Sequence, residues 1–192
     1  LSGRRPGRHG DPQVWAALLC KWYVVGSPDL VRGKVAIASG NTLKINTGVE
    51  VSVSAGTHRT SNGRFNIYGT SSAMVNFKAS QIPGAPGDWM SVYAPAGSVN
   101  ASYLHLENSV AGLGIFGNTT AFISHSQFSN IQVVGADYEG SNAFTVTDST
   151  FDSMRTGIYL GYYGNSYGPS PGPSPIAQNN FISNCTGSAM EM

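Results

Sequence analysis

Apolar pairs return every eight residues between positions 33 and 56, in the segment GKVAIASGNTLKINTGVEVSVSAG. The pairs are Val35/Ile37, Leu43/Ile45 and Val51/Val53, and a turn that contains glycine follows each of them. The alternation within each pair is typical of a short β-strand with one buried face. Hairpin loops in a sandwich or barrel are free to vary in length, so a constant spacing favours a chain wound into regular coils.

Three such units predict a coil of about 24 residues with three flat faces. In such a coil, each strand pairs in parallel with the strand one full turn later. Removing the segment THRTSN (57–62) brings Phe65 and Ile67 into the same phase as the earlier pairs. We therefore expect residues 57–62 to be an insertion between coils.

The second half of the chain repeats at the level of whole coils. The segments YLHLENSVAG, HSQFSNIQVVG, DSTFDSMRTG and QNNFISNCTG have the apolar anchors Leu106, Phe128, Phe151 and Phe181. The steps between anchors are 22, 23 and 30 residues, and the long step contains the insertion GYYGNSYGPSPGPSP. In register, the three phenylalanines stack inside the coil, Ser126, Ser149 and Asn179 form a second inward column, and Asn108 and Asn130 share one turn.

Composition fits this architecture and excludes several functions. The chain has 192 residues, of which 41% are hydrophobic and only 11% charged, which favours one domain of short strands over a helical protein. Without residues 1–21 it has seven basic and nine acidic residues and no basic cluster, so we expect no nucleic-acid partner. No run of eighteen apolar residues occurs, so we expect no membrane span.

The two ends of the chain differ from its body. Residues 1–22 contain three early arginines and the run VWAALLC, and we expect a leader, a fusion or a capping segment there. Residues 23–192 are expected to form the β-helix domain. The last ten residues, SNCTGSAMEM, stop partway through a repeat, so further coils are expected beyond them.

Three segments carry a resemblance to a known family. They are WYVVGSPDLVRGKVAIASGNTLKINTGVEVSV, GRFNIYGTSSAMVNFKAS and PGDWMSVY. Together they resemble the opening coils of secreted or surface bacterial right-handed parallel β-helix proteins of the pectin-lyase-like kind. The resemblance implies an extracellular or cell-surface location and contact with polysaccharides. Its motifs are architectural and carry no catalytic residue across.

The predicted fold is therefore all-β, a right-handed parallel β-helix with coils of about 22–24 residues. An immunoglobulin-like or jelly-roll sandwich is the alternative, with neighbouring strands antiparallel.

Alternation places the candidate chemistry on one outer face of the coils. If Phe151 points inward, then Asp148, Thr150 and Asp152 point outward, and Tyr103, His125 and Asp148 form one column. An imidazole beside a carboxylate suits acid/base work at a sugar ring. The candidate catalytic residues are His125, Asp148, Tyr103 and Arg155.

The same reasoning gives candidate substrate-binding residues and a minor cofactor expectation. The binding candidates are Glu107, Gln127, Thr150 and Asp152 on the face, and Tyr162, Tyr163 and Tyr167 in the insertion, whose rings could wall a sugar groove. Asp137 and Glu139 lie in a glycine-rich segment predicted to be a turn, where they could bind a cation or simply be solvated. No metal site is predicted and no cofactor is expected, although a lyase could use Ca²⁺.

Three functions remain open from the sequence. The first is a secreted or surface protein that presents an elongated face to polysaccharide. The second is a polysaccharide lyase or glycoside hydrolase acting on an extended glycan, and the third is a structural solenoid of a larger adhesin. Each of them is compatible with a solvated polar face on a β-helix.

Overall fold

The structure, a computed structural model, describes residues 22–24, 29–31, 35–57, 59–161 and 173–192. Within these ranges the chain forms 21 strands, numbered β1 to β21 in chain order, and no helix. The strands form three sheets of seven, and every strand ladder is parallel. The molecule is a right-handed parallel β-helix. This confirms the predicted fold and excludes the alternative, a sandwich of antiparallel strands.

Every third strand belongs to the same sheet. The first sheet contains β1 (Trp22–Val24), β4 (Thr42–Ile45), β7 (Arg64–Tyr68), β10 (Ser98–Ser102), β13 (Thr120–Ser124), β16 (Phe144–Thr147) and β19 (Ile176–Gln178). The second contains β2 (Asp29–Val31), β5 (Glu50–Val53), β8 (Val75–Ala79), β11 (Leu104–Glu107), β14 (Gln127–Ser129), β17 (Thr150–Met154) and β20 (Phe181–Cys185). The third contains β3 (Val35–Ile37), β6 (Arg59–Ser61), β9 (Val92–Ala94), β12 (Ala111–Gly117), β15 (Val134–Gly140), β18 (Thr156–Gly161) and β21 (Met190–Glu191).

Glycines at the corners explain the eight-residue spacing. Gly40, Gly48 and Gly56 have φ angles of 80°, 72° and 70°, in the left-handed region that side chains disfavour. Each lies between two consecutive strands of different sheets, so one glycine turns each corner of this coil. The coil that begins at β3 therefore consists of three strands, each followed by a corner that contains glycine.

Inward side chains stack from coil to coil and form one continuous core. In the first sheet, Leu43 lies on Phe65, and Val99, Ala121 and Phe144 continue the column. All of these side chains are buried. In the second sheet, the Phe128 and Phe151 rings are 4.8 Å apart and within 2° of parallel. The predicted stacking of Leu106, Phe128 and Phe151 is confirmed.

The prediction that residues 57–62 are an insertion is wrong. Residues Arg59–Ser61 are β6, which pairs with β3 and belongs to the coil. Phe65 consequently stacks on Leu43 in the first sheet. The segment RTS has no apolar alternation, so its place in the sheet comes from backbone pairing and leaves no hydrophobic pattern to detect.

A ladder of inward polar side chains runs between the first and second sheets. The hydroxyl of Ser126 accepts the Leu104 N–H at 3.2 Å, and the hydroxyl of Ser149 accepts the Ser126 N–H at 3.1 Å. The next member is Asn180, whose Oδ1 accepts the Ser149 N–H at 3.0 Å. Each side chain thus satisfies a backbone donor of the coil before it, which a buried amide requires.

This ladder corrects the predicted register of the last coil. Asn180 occupies the inward place expected for Asn179, so Ile182 pairs with Phe151. Phe181 pairs with Thr150, faces outward and is 66% exposed, where an inward position was predicted. The outward residues of this coil are consequently Asn179, Phe181 and Ser183, which align with Asp148, Thr150 and Asp152 of the coil before.

Candidate functional site

The column of candidate catalytic residues exists, at the corner between the first and second sheets. The φ angles of Tyr103, His125 and Asp148 are 51°, 49° and 52°, so all three turn the chain in the same left-handed conformation. The ring of Tyr103 stacks on the His125 imidazole, with centroids 4.9 Å apart and planes 17° apart. The next coil places Asn179 in the column, and its Nδ2 donates to Asp148 Oδ1 at 3.3 Å.

The four candidates do not assemble into one catalytic site. In the part of the chain that the structure describes, no hydrogen bond joins the His125 imidazole to the Asp148 carboxylate. Arg155 follows β17 while Asp148 precedes it, so the five-residue strand, about 16 Å long, separates them. The contact between base and carboxylate that would support a catalytic role of this column is therefore not observed among the described residues.

The binding candidates of the second sheet lie side by side as their spacing predicts. Gln127 pairs with Thr150, and Ser129 connects Glu107 with Asp152 in the adjacent column. Asp152 accepts hydrogen bonds from Ser183, Asn184 and Ser153, at 2.6, 2.7 and 2.8 Å. These bonds, led by that of Ser183, lower the pKa of the Asp152 carboxyl.

Other polar groups of this face also have partners within it. The His105 Nε2 lies 3.0 Å from the Ser129 hydroxyl, and burial lowers the pKa of His105 against the opposing effect of Glu107. Lys78 and Glu50 form an ion pair of 2.9 Å. Several polar groups of the second sheet, Asp152 and His105 among them, therefore bind one another. The remaining binding candidates, Tyr162, Tyr163 and Tyr167, lie outside the described residues, and their role stays a prediction.

The third sheet brings together residues that the sequence analysis did not group. Tyr93, Gly114, Asp137 and Tyr159 are in register on four successive strands, and Phe116, Glu139 and Gly161 form the adjacent column. The two columns alternate with the buried residues of the same strands and so face outward. We call the residues Tyr93, Phe116, Asp137, Glu139 and Tyr159 the acidic aromatic face.

Aromatic rings lie on both sides of the carboxylates. The rings of Tyr93 and Phe116 are 4.8 Å apart and tilted by 37°, and Tyr93 is 38% exposed. A Cβ added at Gly114 would lie 2.6 Å from the Phe116 ring, and one at Gly161 would collide with the Tyr159 ring. The glycines therefore let these two rings lie flat along the sheet.

Asp137 lies between the aromatic rings and lacks an internal partner. It is in the middle of β15, so the prediction of a turn at this position is wrong. Its Oδ1 is buried without a hydrogen-bond partner. Burial, and to a smaller extent the neighbouring Glu139, raises the pKa of Asp137 to about 6. A step of 23 residues followed by one of 22 aligns Gly114, Asp137 and Tyr159, and this spacing is the sequence signal that could have found the face.

The charges of the third sheet have one sign from β9 to β21, and Arg59 lies in the preceding strand β6. Its strands from β9 to β21 contain Asp137, Glu139 and Glu191, and they contain no lysine, arginine or histidine. Among the described residues, no group of three or more His, Cys, Asp or Glu side chains could hold a metal ion. Within the same ranges, no helix is long and apolar enough to cross a membrane.

Comparison with known proteins adds no further assignment. No family model matches the chain, and neither a curated protein nor a solved structure matches it. The class that the fold defines is the right-handed parallel β-helix, within which the acidic aromatic face is the candidate site.

Proposed function

We propose that this protein is a glycan-binding β-helix of the pectin-lyase-like kind that acts outside the cell or at its surface. The observation that carries the proposal is the acidic aromatic face, where the exposed ring of Tyr93 and the half-buried rings of Phe116 and Tyr159 flank a carboxylate that has a buried, unpaired oxygen. Flat rings can pack against the C–H faces of sugars, while carboxylates accept hydrogen bonds from sugar hydroxyls. The architectural motifs that resemble secreted β-helix proteins support the same setting.

The third sheet supports binding better than the second. On the second sheet, the Asp152 carboxylate is occupied by three internal donors. On the third, Asp137 keeps an oxygen that folding has desolvated without giving it a partner. A buried acceptor without a donor costs free energy, and a rotation of the Asp137 side chain that brings this oxygen to a ligand donor would recover it. Ligand binding is therefore expected at Asp137 before Asp152.

The test is a panel of soluble oligosaccharides measured by titration calorimetry. Replacement of Tyr93 or Tyr159 by alanine should weaken binding at least about tenfold, or about 1.4 kcal/mol, because each removes a ring face. Phe122→Ala is the matched control, since Phe122 is a 49% exposed aromatic residue of the first sheet. Unchanged affinity in both tyrosine variants would refute the site. An absence of binding to any glycan would favour a structural solenoid of a larger adhesin.

Hydrolysis at the same face is a second candidate function. Asp137 and Glu139 are alternate residues of one strand, with Cα atoms about 6.6 Å apart on the same side. Side chains with this Cα spacing can place their carboxyl groups at the separation of roughly 6.5–9.5 Å that inverting glycoside hydrolases use, with one group as acid and one as base. Asp137, whose pKa is about 6, suits the acid, and Glu139 would activate the water.

Release of reducing ends measures this activity. If the face is hydrolytic, Glu139→Gln should abolish turnover while the oligosaccharide still binds. Turnover that persists in Glu139→Gln, or that disappears only with His125→Ala, would contradict the assignment.

A further inference from the structure

We infer that the acidic aromatic face selects glycans that carry free, protonated amines, such as polymers of de-N-acetylated amino sugars. The inference rests on the proposed function, because it names the kind of sugar that the same face would bind. It differs from the acidic polysaccharides that a pectin-lyase-like resemblance would suggest.

The distribution of charge over the three sheets is the first argument. The third sheet from β9 to β21 has three carboxylates and no basic side chain, and Arg59 in β6 is the one basic residue of its described strands. The first sheet from β4 to β19 has the opposite pattern, with Lys44 and Arg64 and no acidic residue. A uronate polymer on the third sheet would bring like charges together in a partly desolvated site, whereas an amine polymer would neutralise them.

The unpaired oxygen of Asp137 is the second argument. A sugar hydroxyl could donate one hydrogen bond to Oδ1, but it would leave the carboxylate charge uncompensated. An ammonium group supplies up to three donors and a positive charge together. A hydroxyl bound to the carboxylate has one ionised partner, whereas an ammonium makes both partners ionised and adds the attraction of opposite charges. A protonated amine is therefore the sugar substituent that best fits this carboxylate.

The neighbouring rings favour the same ligand. Phe116 and Tyr93 lie one and two coils before Asp137, and Tyr159 lies one coil after it, at about 4.8 Å per coil. An amine near Asp137 is therefore within reach of ring faces that attract cations as well as the apolar side of a sugar. Glu139, two residues along the strand, provides a second carboxylate for a neighbouring amine.

The experiment compares three hexasaccharides on the full chain at pH 6.5, by titration calorimetry at low and moderate salt. The probes are glucosamine, N-acetylglucosamine and galacturonate hexamers. The glucosamine hexamer should bind at least about tenfold more tightly than the acetylated one, with an advantage that shrinks as salt rises. Asp137→Asn and Glu139→Gln should each reduce this preference severalfold. Glu50→Gln, which removes a carboxylate from the second sheet, should leave it unchanged.

The possible outcomes separate this inference from the proposed function. Equal or tighter binding of the acetylated or galacturonate hexamer, still lost in Tyr93→Ala, would overturn the amine preference and leave glycan binding intact. An absence of binding to all three probes and to the wider panel would overturn both. Equal binding of a lysine hexapeptide would show that charge alone is recognised, and it would also overturn the inference.

Discussion

Left-handed backbone conformations at non-glycine residues occur at two corners of the coil. One column contains Tyr103, His125, Asp148 and Asn179, and the other contains Asn108, Asn130, Ser153 and Asn184. Asparagine tolerates this conformation better than most residues, and the Asn130 amide donates to Asn108 Oδ1. The predicted sharing of one turn by Asn108 and Asn130 is thus confirmed. The candidate catalytic column of the sequence analysis is likewise a row of chain corners.

At the residue scale, Asp137 should make stability depend on pH. Its folded-state pKa of about 6 exceeds the ordinary value of 3.8, so the folded protein binds this proton more tightly than the unfolded chain. The contribution of Asp137 to the free energy of unfolding is largest below about pH 4 and is lost as the pH rises through 6. Asparagine cannot lose this proton, so the free energy of unfolding of Asp137→Asn should rise relative to that of the native protein between pH 4 and pH 7. The rise should be about 1 kcal/mol after allowance for solvent screening.

Urea unfolding at pH 4, 5, 6 and 7 measures this difference. Asp152→Asn is the control: three hydrogen bonds lower the pKa of Asp152, so its carboxylate stabilises the fold above the unfolded pKa of 3.8, and the loss in this variant should stay nearly constant from pH 4 to 7. A gain for Asp137→Asn that does not change with pH would contradict the burial of this carboxylate.

At the scale of the strand, polar side chains inside the coil fix the register of β20. The Asn180 side chain accepts the Ser149 N–H and donates to the Val146 carbonyl, both at 3.0 Å. A shift by one residue would reverse the faces of Phe181 and Ile182 and would leave these two backbone groups unpaired. Two hydrogen bonds therefore outweigh the inward burial of a phenylalanine.

The adjacent asparagines provide a matched test of this explanation. Asn180→Ala should lower the free energy of unfolding by about 1–3 kcal/mol, since it leaves buried backbone groups without partners. Asn179→Gly should change it by less than about 0.5 kcal/mol, because Asn179 is exposed and has a φ angle of 56° that glycine adopts freely. Chemical denaturation of both variants is the measurement, and equal losses would show that the ladder does not set the register.

The sequence predicts well those strands in which apolar residues alternate with polar ones and recur at a constant number of residues per coil. Leu106, Phe128 and Phe151 follow that rule, and the coil was predictable from them. The Arg59–Ser61 strand and the Asn180 register were not predictable, because backbone and side-chain hydrogen bonds decide both and neither leaves a hydrophobic period. The candidate site was missed because Asp137 and the rings around it come from separate coils and share no apolar pattern, so only the coil-length steps of 23 and 22 residues connect them in the sequence.

At the scale of the whole molecule, a solenoid core is a series of contacts between neighbouring coils. Phe128 is fully buried and stacks between Leu106 and Phe151. Phe128→Ala should therefore cost about 3–5 kcal/mol. Because each coil contacts mainly its neighbours, the loss should concentrate in β11, β14 and β17.

Hydrogen exchange resolved by segment tests this locality. Amides of β11, β14 and β17 should lose more protection in Phe128→Ala than amides of β4 and β7. Phe122→Ala, on the outside of the adjacent strand β13, should change protection little. A uniform loss along the whole chain would show that the β-helix unfolds as one cooperative unit.

The direction of the strands determines how this molecule would respond to tension. All strand ladders join one coil to the next in parallel, so their hydrogen bonds point along the axis of the helix. A pull between the two ends of the axis would load these bonds in line, a few at a time, and peel coils away in succession. A pull along a strand would shear the bonds of several strands together. The β-helix is thus mechanically weak along its length and strong across it.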